Sequence, residues 1–208
     1  MQDEYRTVAH AGVHETEINR SRFLCALAPA ATEQEAQDFV AAVRKEHADA
    51  THNCWAYVIG ADASVQKASD DGEPGGTAGV PMLQMLLRRD MRYVVAVVTR
   101  YYGGVKLGAG GLIRAYGAAV GEALDTLGTR TRRRFRLATV TVDHQRAGKL
   151  QNELRATGRE VRGIRYGEAV TIEIGLPDAD VDAFRGWLAD ATAGAAGFEL
   201  GGEAYGDA

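Results

Sequence analysis

Hydrophobic positions in the first third of the chain alternate between strand-like runs and a helical stripe. Residues 21–28 form a short apolar run, and residues 52–61 carry apolar side chains on both alternating faces. Between them, residues 32–48 carry apolar side chains at helical spacing, and Thr32 followed by Glu35 forms a capping box at the start of that segment. The pattern predicts a strand, a helix and a second strand that is central in a sheet.

Two glycine-rich stretches interrupt the pattern further along. Residues 62–79 are polar, acidic and rich in glycine, which predicts a long loop of the kind that often carries function. A short apolar helix follows, and the β-branched and aromatic run 93–98 predicts a strand covered on both faces. The second glycine-rich stretch, residues 102–111, leads into an amphipathic helix that begins at Leu112 and that Gly128 is placed to end.

The pattern of elements restarts after an arginine-rich stretch, residues 130–136. Beyond it, the hydrophobic spacing predicts a strand, a helix, two strands, a second helix and a last strand. The order βαββαβ is that of a ferredoxin-like domain. The sequence therefore predicts an α+β protein of two domains, residues 1–130 and residues 136–208, and the second should be at least partly folded as a separate fragment.

Composition places the chain among ordinary globular proteins. Of its 208 residues, 46% are hydrophobic and 25% are charged, which excludes the disordered, collagenous and coiled-coil classes. No apolar run approaches the roughly 18 residues that span a bilayer, and the first residues lack the basic and apolar parts of a signal peptide. We therefore expect a cytoplasmic protein without a membrane partner, in which Cys25 and Cys54 are reduced thiols.

Charge is distributed unevenly in the C-terminal part. The net charge of the chain is −4, but residues 130–165 contain 11 basic and 3 acidic residues, whereas residues 166–208 contain 1 basic and 9 acidic residues. One interpretation is an arginine face that binds the phosphates of RNA or of the ribosome, with Arg132, Arg133 and Arg134 as candidate contacts. The other is that the two oppositely charged segments neutralise each other within one small domain.

Three carboxylates lie close together on the first glycine-rich stretch: Asp70, Asp71 and Glu73. Such a group could bind a hard cation, position a general base or form a polar binding surface. Its spacing matches no calcium loop, and short acidic residues beside glycine and proline are also common turn formers. We assign no metal here and keep both the binding and the turn interpretations. Thr77 is expected to cap the helix that follows.

The second glycine-rich stretch lies between a buried strand and a helix, where backbone amides can approach an anion at the positive end of the helix. This placement predicts a site for phosphate or another anion. The candidate binding residues are Arg100, Tyr101, Lys106, Gly108, Gly110, Gly111 and Arg114. Tyr101 and its neighbour Tyr102 could stack on a base. The stretch matches neither the P-loop nor the dinucleotide fingerprint, and its glycines could equally serve tight turns and close packing.

His52 and Cys54 are two positions apart on a predicted strand and therefore share a face. A cysteine beside a histidine is one arrangement used in nucleophilic catalysis. The same face continues as Ala56 and Val58, which favours Cys54 as a core residue. His52 is either the polar end of the strand, facing the two glycine-rich stretches, or a histidine held by a structural hydrogen bond. We assign no catalytic residue.

Three motifs carry a family resemblance: THNCWAY at residues 51–57, SDDGEPGGTAG at residues 69–79 and TRYYGGVKLGAGGLIRAY at residues 99–116. In order and spacing they resemble the YigZ/Impact family over most of the first 128 residues. The segment from Arg136 onward is similar to the family's smaller second domain. The resemblance implies a first domain with the fold shared by a small-subunit ribosomal protein and the GHMP kinases, and a second domain similar to one of elongation factor G.

The resemblance also implies a function, since the family's eukaryotic relatives regulate translation during amino-acid starvation by competing for a partner of the responding kinase. We therefore expect a non-catalytic binding or regulatory protein without a cofactor, whose partner is RNA, the ribosome or a translation-linked protein. The alternative is an enzyme that acts on a small phosphorylated substrate at the two glycine-rich stretches. A base or nucleophile held in hydrogen-bond geometry at these stretches would favour that alternative.

Overall fold

The computed structural model describes residues 3–207 and shows the mixed α+β architecture that the hydrophobic pattern predicts. The strands are β1 (Glu4–Val8), β2 (Gly12–Ile18), β3 (Ser21–Pro29), β4 (His52–Ile59), β5 (Val65–Ser69), β6 (Val94–Tyr101), β7 (Thr129–Val142), β8 (Val161–Tyr166), β9 (Val170–Leu176) and β10 (Gly197–Asp207). The helices are α1 (Glu33–Glu46), α2 (Gly79–Arg88), α3 (Gly108–Leu127), α4 (His144–Ala156) and α5 (Val181–Thr192). The chain separates into two compact units, one running up to Arg132 and including Asp207, the other formed by Arg133–Gly206.

The first unit is built on an antiparallel sheet with the strand order β2-β3-β6-β4-β5. Helices α2 and α3 pack on one face, where Met82, Leu86 and Tyr116 are buried. Helix α1 packs on the other face through Ala36, Val40 and Val43. Because β6 lies between β3 and β4 and is covered on both faces, every residue from 94 to 98 is buried. The predicted central strands are therefore confirmed.

Two helix ends in the first unit follow the capping residues in the sequence. The Thr32 side chain accepts a hydrogen bond from the Glu35 N–H at 3.2 Å, and Glu35 in turn accepts from the Ala31 N–H at 2.8 Å. At the end of α3, Gly128 has a φ of +78°, which glycine adopts without strain, and its N–H bonds to the Leu124 carbonyl. Both predicted helix ends are confirmed.

Three element boundaries differ from the prediction. The expected loop 62–79 contains β5, which pairs with β4 at the edge of the sheet. Helix α3 begins at Gly108 rather than at Leu112, so Gly108, Gly110 and Gly111 lie in its first turn, while Gly103 and Gly104 precede the helix. Strand β7 begins at Thr129 and runs through the arginine-rich stretch without interruption, whereas the hydrophobic spacing predicts a strand that starts near the end of that stretch.

The second unit has the predicted βαββαβ order. Strand β10 pairs with β7, β7 pairs antiparallel with β9, and β9 pairs antiparallel with β8, which is the strand order of a ferredoxin-like sheet. Ile172 and Ile174 of β9 face a core that includes Leu154 of α4 and Phe184 of α5. Across residues 3–207, we find no helix with the length and apolar character needed to cross a membrane.

Candidate functional site

The pairing of β4 with β6 brings the two glycine-rich stretches together. His52 at the start of β4 lies opposite Arg100 near the end of β6. Beside this pair is a cavity of about 400 Å³. The acidic stretch supplies Glu73 and Pro74 to its wall. The second glycine-rich stretch supplies Tyr102, Lys106, Leu107, Gly108 and Ala109. The cavity is therefore formed by both predicted binding segments.

A buried ion pair forms the floor of this cavity. An Arg100 terminal nitrogen donates to Glu73 Oε1 at 2.6 Å, and the side chains of Arg100 and Glu73 are 6% and 4% exposed. The Tyr116 hydroxyl donates to the same oxygen at 2.8 Å. Burial and the neighbouring Cys54 and Glu73 raise the pKa of Tyr116, so this hydroxyl remains protonated and continues to donate.

Aromatic rings hold the Arg100 guanidinium in place. Its central carbon lies 5.4 Å from the ring centroids of both Phe23 and Tyr102. The second terminal nitrogen reaches Ser21 Oγ at 3.4 Å, while the buried Nε has no hydrogen-bond partner within the described chain. Tyr102 is 45% exposed and lines the cavity, so one ring both covers Arg100 and faces solvent. A buried arginine with an unsatisfied donor is costly, and such groups are concentrated at functional sites.

His52 is oriented by the backbone of the acidic stretch. Its Nδ1 lies 2.8 Å from the Asp71 carbonyl oxygen, which can only accept, so Nδ1 carries the proton. The other ring nitrogen, Nε2, is 3.9 Å from Glu73 Oε2, and His52 lines the cavity. The hydrogen bond at Nδ1 therefore fixes the ring at the cavity wall, with Nε2 beside Glu73. Both interpretations of His52 apply, because the ring is held by a structural hydrogen bond and also lies where the two glycine-rich stretches meet.

Asp70 has a structural role. Its carboxylate accepts hydrogen bonds from the backbone N–H groups of Gly76, Ala78 and Gly79 at 2.8 to 3.0 Å, at the start of α2. Burial opposes ionisation of Asp70, but these three donors outweigh it and hold its pKa below the usual range. The expected capping role of Thr77 is wrong, since its hydroxyl donates to the Pro74 carbonyl and Asp70 takes its place.

Asp71 and Cys54 also serve the framework. Asp71 accepts from the Asn53 N–H at 2.7 Å and forms an ion pair with Arg44. Cys54 is fully buried and donates to the Asp70 carbonyl, and burial raises the pKa of its thiol to about 12. The prediction that Cys54 is a core residue is confirmed by this burial.

The entrance of the cavity is positively charged. Lys106 is exposed at the rim, and Gly108 and Ala109 of the first turn of α3 line the wall. That turn contains no acidic residue, and the N-cap residue Leu107 offers no side-chain hydrogen bond. The free N–H groups of the turn and the positive end of the helix therefore favour an anion there.

The other candidate residues of the second glycine-rich stretch lie elsewhere. Tyr101 points away from the cavity, and its hydroxyl bonds to His47 and Asp49. Gly111 and Arg114, which is in the second helical turn, line a separate cavity of about 250 Å³. Gly110 lines neither cavity. Tyr102 rather than the candidate Tyr101 lines the cavity. Successive side chains of a strand point to opposite sides, so Tyr102 follows the side of Arg100 and Tyr101 does not.

The arginine-rich stretch is largely engaged in ion pairs. Arg132 lies 3.1 Å from Asp207, and Arg134 lies 2.8 Å from Glu203 and 3.2 Å from Asp178. Arg133 is exposed on β7. This arrangement favours the interpretation in which the basic and acidic segments neutralise each other, rather than the one in which the arginines form an open binding face. Within residues 3–207 there is also no group of His, Cys, Asp and Glu side chains that could hold a metal ion.

Comparison with known proteins identifies the family. Residues 19–124 match the model of the Impact N-terminal domain, and residues 140–195 match a domain of unknown function, DUF1949. The chain is 48% identical over 194 residues to the IMPACT family member YvyE of Bacillus subtilis, covering 93% of this chain and 89% of that protein. The chain belongs to the IMPACT family.

Other relatives of this IMPACT family protein agree with the assignment. It is 39% identical to the IMPACT family member YigZ of Escherichia coli, over 86% of this chain and 88% of that protein. It is 37% identical to Protein IMPACT of Xenopus laevis, over 43% of this chain and 30% of that protein. A crystal structure of a hypothetical protein matches 95% of this chain and 97% of its own, with 36% identity and a TM-score of 0.65. The family resemblance and the two-domain α+β fold predicted from the sequence are confirmed.

Proposed function

We propose that this IMPACT family protein is a non-catalytic binding protein that contacts RNA of the translation apparatus through the cavity of its first unit. The observation that carries the proposal is the convergence of Arg100, Lys106 and the uncapped start of α3 on one cavity. These groups attract a phosphate, and Tyr102 offers a ring on which a base can stack. The translation context is taken from the family's eukaryotic members.

The arginine-rich stretch is the weaker candidate for the RNA contact. Its side chains Arg132 and Arg134 already pair with carboxylates, so RNA would have to displace Asp207, Glu203 or Asp178. The net charge of −4 also disfavours broad electrostatic attraction to a polyanion. In the cavity Arg100 is paired with Glu73, but among residues 3–207 the exposed Lys106 forms no ion pair, so a phosphate can reach Lys106 without displacing a carboxylate.

The salt dependence of binding distinguishes the two surfaces. Fluorescence anisotropy of the full chain with a labelled single-stranded RNA would be measured at about 50 and about 200 mM salt. One or two phosphate contacts in the cavity predict an affinity loss of about three- to sevenfold, whereas six or more contacts on an arginine face predict more than about a hundredfold. Lys106→Ala should weaken binding and Lys45→Ala, an exposed lysine outside the cavity, should not. Absence of binding at the lower salt would refute the proposal.

The orientation of His52 favours a second candidate function, an enzyme acting on a small phosphorylated substrate. The Nδ1 hydrogen bond to the Asp71 carbonyl holds the ring at the cavity wall, and a positioned imidazole can act as a general base. Release of inorganic phosphate from a set of nucleoside phosphates would be followed by phosphorus NMR. Turnover that falls about a hundredfold or more in His52→Gln would support the enzyme, while no turnover above the rate in buffer would contradict it.

A further inference from the structure

The depth of Arg100 limits which phosphate can reach it. Its side chain is 6% exposed at the floor of the cavity, between the rings of Phe23 and Tyr102. An internal phosphodiester carries a sugar on each side, so both flanking nucleotides would have to enter with it. A terminal phosphate enters from one side only. A recessed cation therefore favours the terminal phosphate of an RNA over an internal one.

The charge of the cavity matches a phosphomonoester. The net charge of the cavity lining is about +1.5. Arg100 and Lys106 are positive, Glu73 is negative, and the start of α3 acts as about half a positive charge. A phosphomonoester carries about −1.5 to −2 at pH 7 and has three acceptor oxygens. An internal phosphodiester carries a single negative charge. The terminal group thus complements the cavity more closely.

The cavity has room and apolar surface beyond what a phosphate uses. Its volume is about 400 Å³, and Pro74, Leu107 and Leu112 form part of its wall. Tyr102, which is 45% exposed, lies at the same wall. A phosphate alone would leave these groups in water, whereas a sugar and base would cover them and stack on the tyrosine ring.

We propose that the cavity binds a terminal phosphomonoester together with the nucleotide that carries it, in preference to an internal phosphodiester. The inference rests on the proposed function, because it takes the cavity as the site of RNA contact. The chemistry is shared by the phosphorylated end of an RNA and by a free nucleoside monophosphate. The two sources are separated by the probes below.

The test compares short single-stranded RNAs of one sequence that carry a phosphate at the 5′ end, at the 3′ end or at neither end, together with a nucleoside monophosphate as competitor. We expect one phosphorylated RNA to bind the full chain at least about tenfold more tightly than the unphosphorylated RNA. Lys106→Ala should abolish this preference and Lys45→Ala should retain it. Tyr102→Phe should bind normally, whereas Tyr102→Ala should lose about fivefold or more in affinity.

Three other binding results would contradict the terminal-phosphate inference, the RNA proposal or both. Equal binding of all three RNAs would overturn this inference and leave the RNA proposal standing. Binding of the monophosphate without binding of any RNA would support the phosphomonoester and overturn RNA as the partner. Binding of neither would overturn both. Thermal melts of the variants would be compared with that of the unmodified chain. Lys106 is exposed and Tyr102→Phe keeps the ring over Arg100, so we expect unchanged melts for Lys106→Ala and Tyr102→Phe. Tyr102→Ala removes the ring that covers Arg100, so its affinity would be measured well below its own melting temperature.

Discussion

Replacing Glu73 by glutamine tests whether the Arg100–Glu73 pair is a buried ion pair on which the first unit depends. The substitution changes the charge but not the shape of the side chain. The amide oxygen can still accept from the Tyr116 hydroxyl, which now lies 2.8 Å from Oε1. What is lost is the negative charge beside a guanidinium that is only 6% exposed.

The magnitude follows from this burial. At an effective dielectric constant near 20, unit charges about 4 Å apart attract by about 4 kcal/mol. Removing one partner of a buried pair costs about 3–5 kcal/mol, because the remaining charge is buried without compensation. Glu73→Gln keeps the Tyr116 contact, so its cost should lie at the lower end of this range of about 3–5 kcal/mol. We expect a loss of about 3 kcal/mol in the free energy of unfolding. For a unit of this size, that loss lowers Tm by about 10 °C.

Urea unfolding followed by tryptophan fluorescence can report on the first unit alone. The chain has two tryptophans, Trp55 on β4 of the first unit and Trp187 on α5 of the second. A Trp187→Phe background leaves Trp55 as the only reporter. The unfolding midpoint and slope would be measured for Glu73→Gln and for its parent in that background.

Glu15→Gln is a matched control, because it removes the carboxylate from another arginine pair. Glu15 accepts from Arg22 at 2.6 and 3.0 Å, but these side chains are 45% and 50% exposed. Solvent and salt screen such a pair, so we expect little change in its midpoint. A loss in Glu73→Gln no larger than that in Glu15→Gln would refute the reasoning from burial.

Further predictions follow from the capping aspartate, the arginine-rich stretch and the second unit. Asp70→Ala, which leaves three backbone N–H donors without their acceptor, should lower the free energy of unfolding by about 2 kcal/mol in urea titrations. Because the folded-state pKa of Asp70 lies below its usual value, its ionised form stabilises the fold at neutral pH and this contribution disappears as the pH falls through the depressed pKa. Melts of Asp70→Ala should therefore lose less stability in acid than the parent, and equal losses would contradict the assignment. Replacing Arg132, Arg133 and Arg134 by alanine should lower Tm without changing RNA affinity; weaker RNA binding with an unchanged melt would restore the arginine face. The fragment Arg133–Gly206 should show a folded circular-dichroism spectrum of modest stability, and a random-coil spectrum would exclude a separate domain.

The elements that could be predicted from the sequence are those whose burial determines their side chains. Strand β6 is covered on both faces, so its residues are apolar without interruption. Strand β5, VQKAS, is an edge strand with partly exposed side chains, and its composition does not differ from that of a loop. The start of α3 was misplaced because glycine disfavours helices, and local propensity says nothing about the packing that holds the first turn.

The candidate site could be predicted only in part. The sequence singled out both segments that line the cavity, but their meeting depends on β4 lying next to β6, which no local pattern encodes. The three carboxylates look alike in the sequence, yet backbone geometry separates them. Asp70 caps a helix, Asp71 holds a strand end and only Glu73 reaches the cavity floor.

The first turn of α3 is rich in glycine, so a ligand that binds its amides must offset the conformational entropy lost when the turn becomes ordered. Gly110 and Gly111 each favour the helix by about 1 kcal/mol less than alanine would, so this turn should open more often than the rest of the helix and exchange its amide hydrogens fastest. A ligand that accepts from these amides must first order them. At Gly110 an added Cβ would meet only an Arg114 terminal nitrogen at 3.6 Å, so alanine fits and would order the turn in advance. Affinity at this site can therefore be raised by removing freedom from the backbone, without adding a single contact to the ligand.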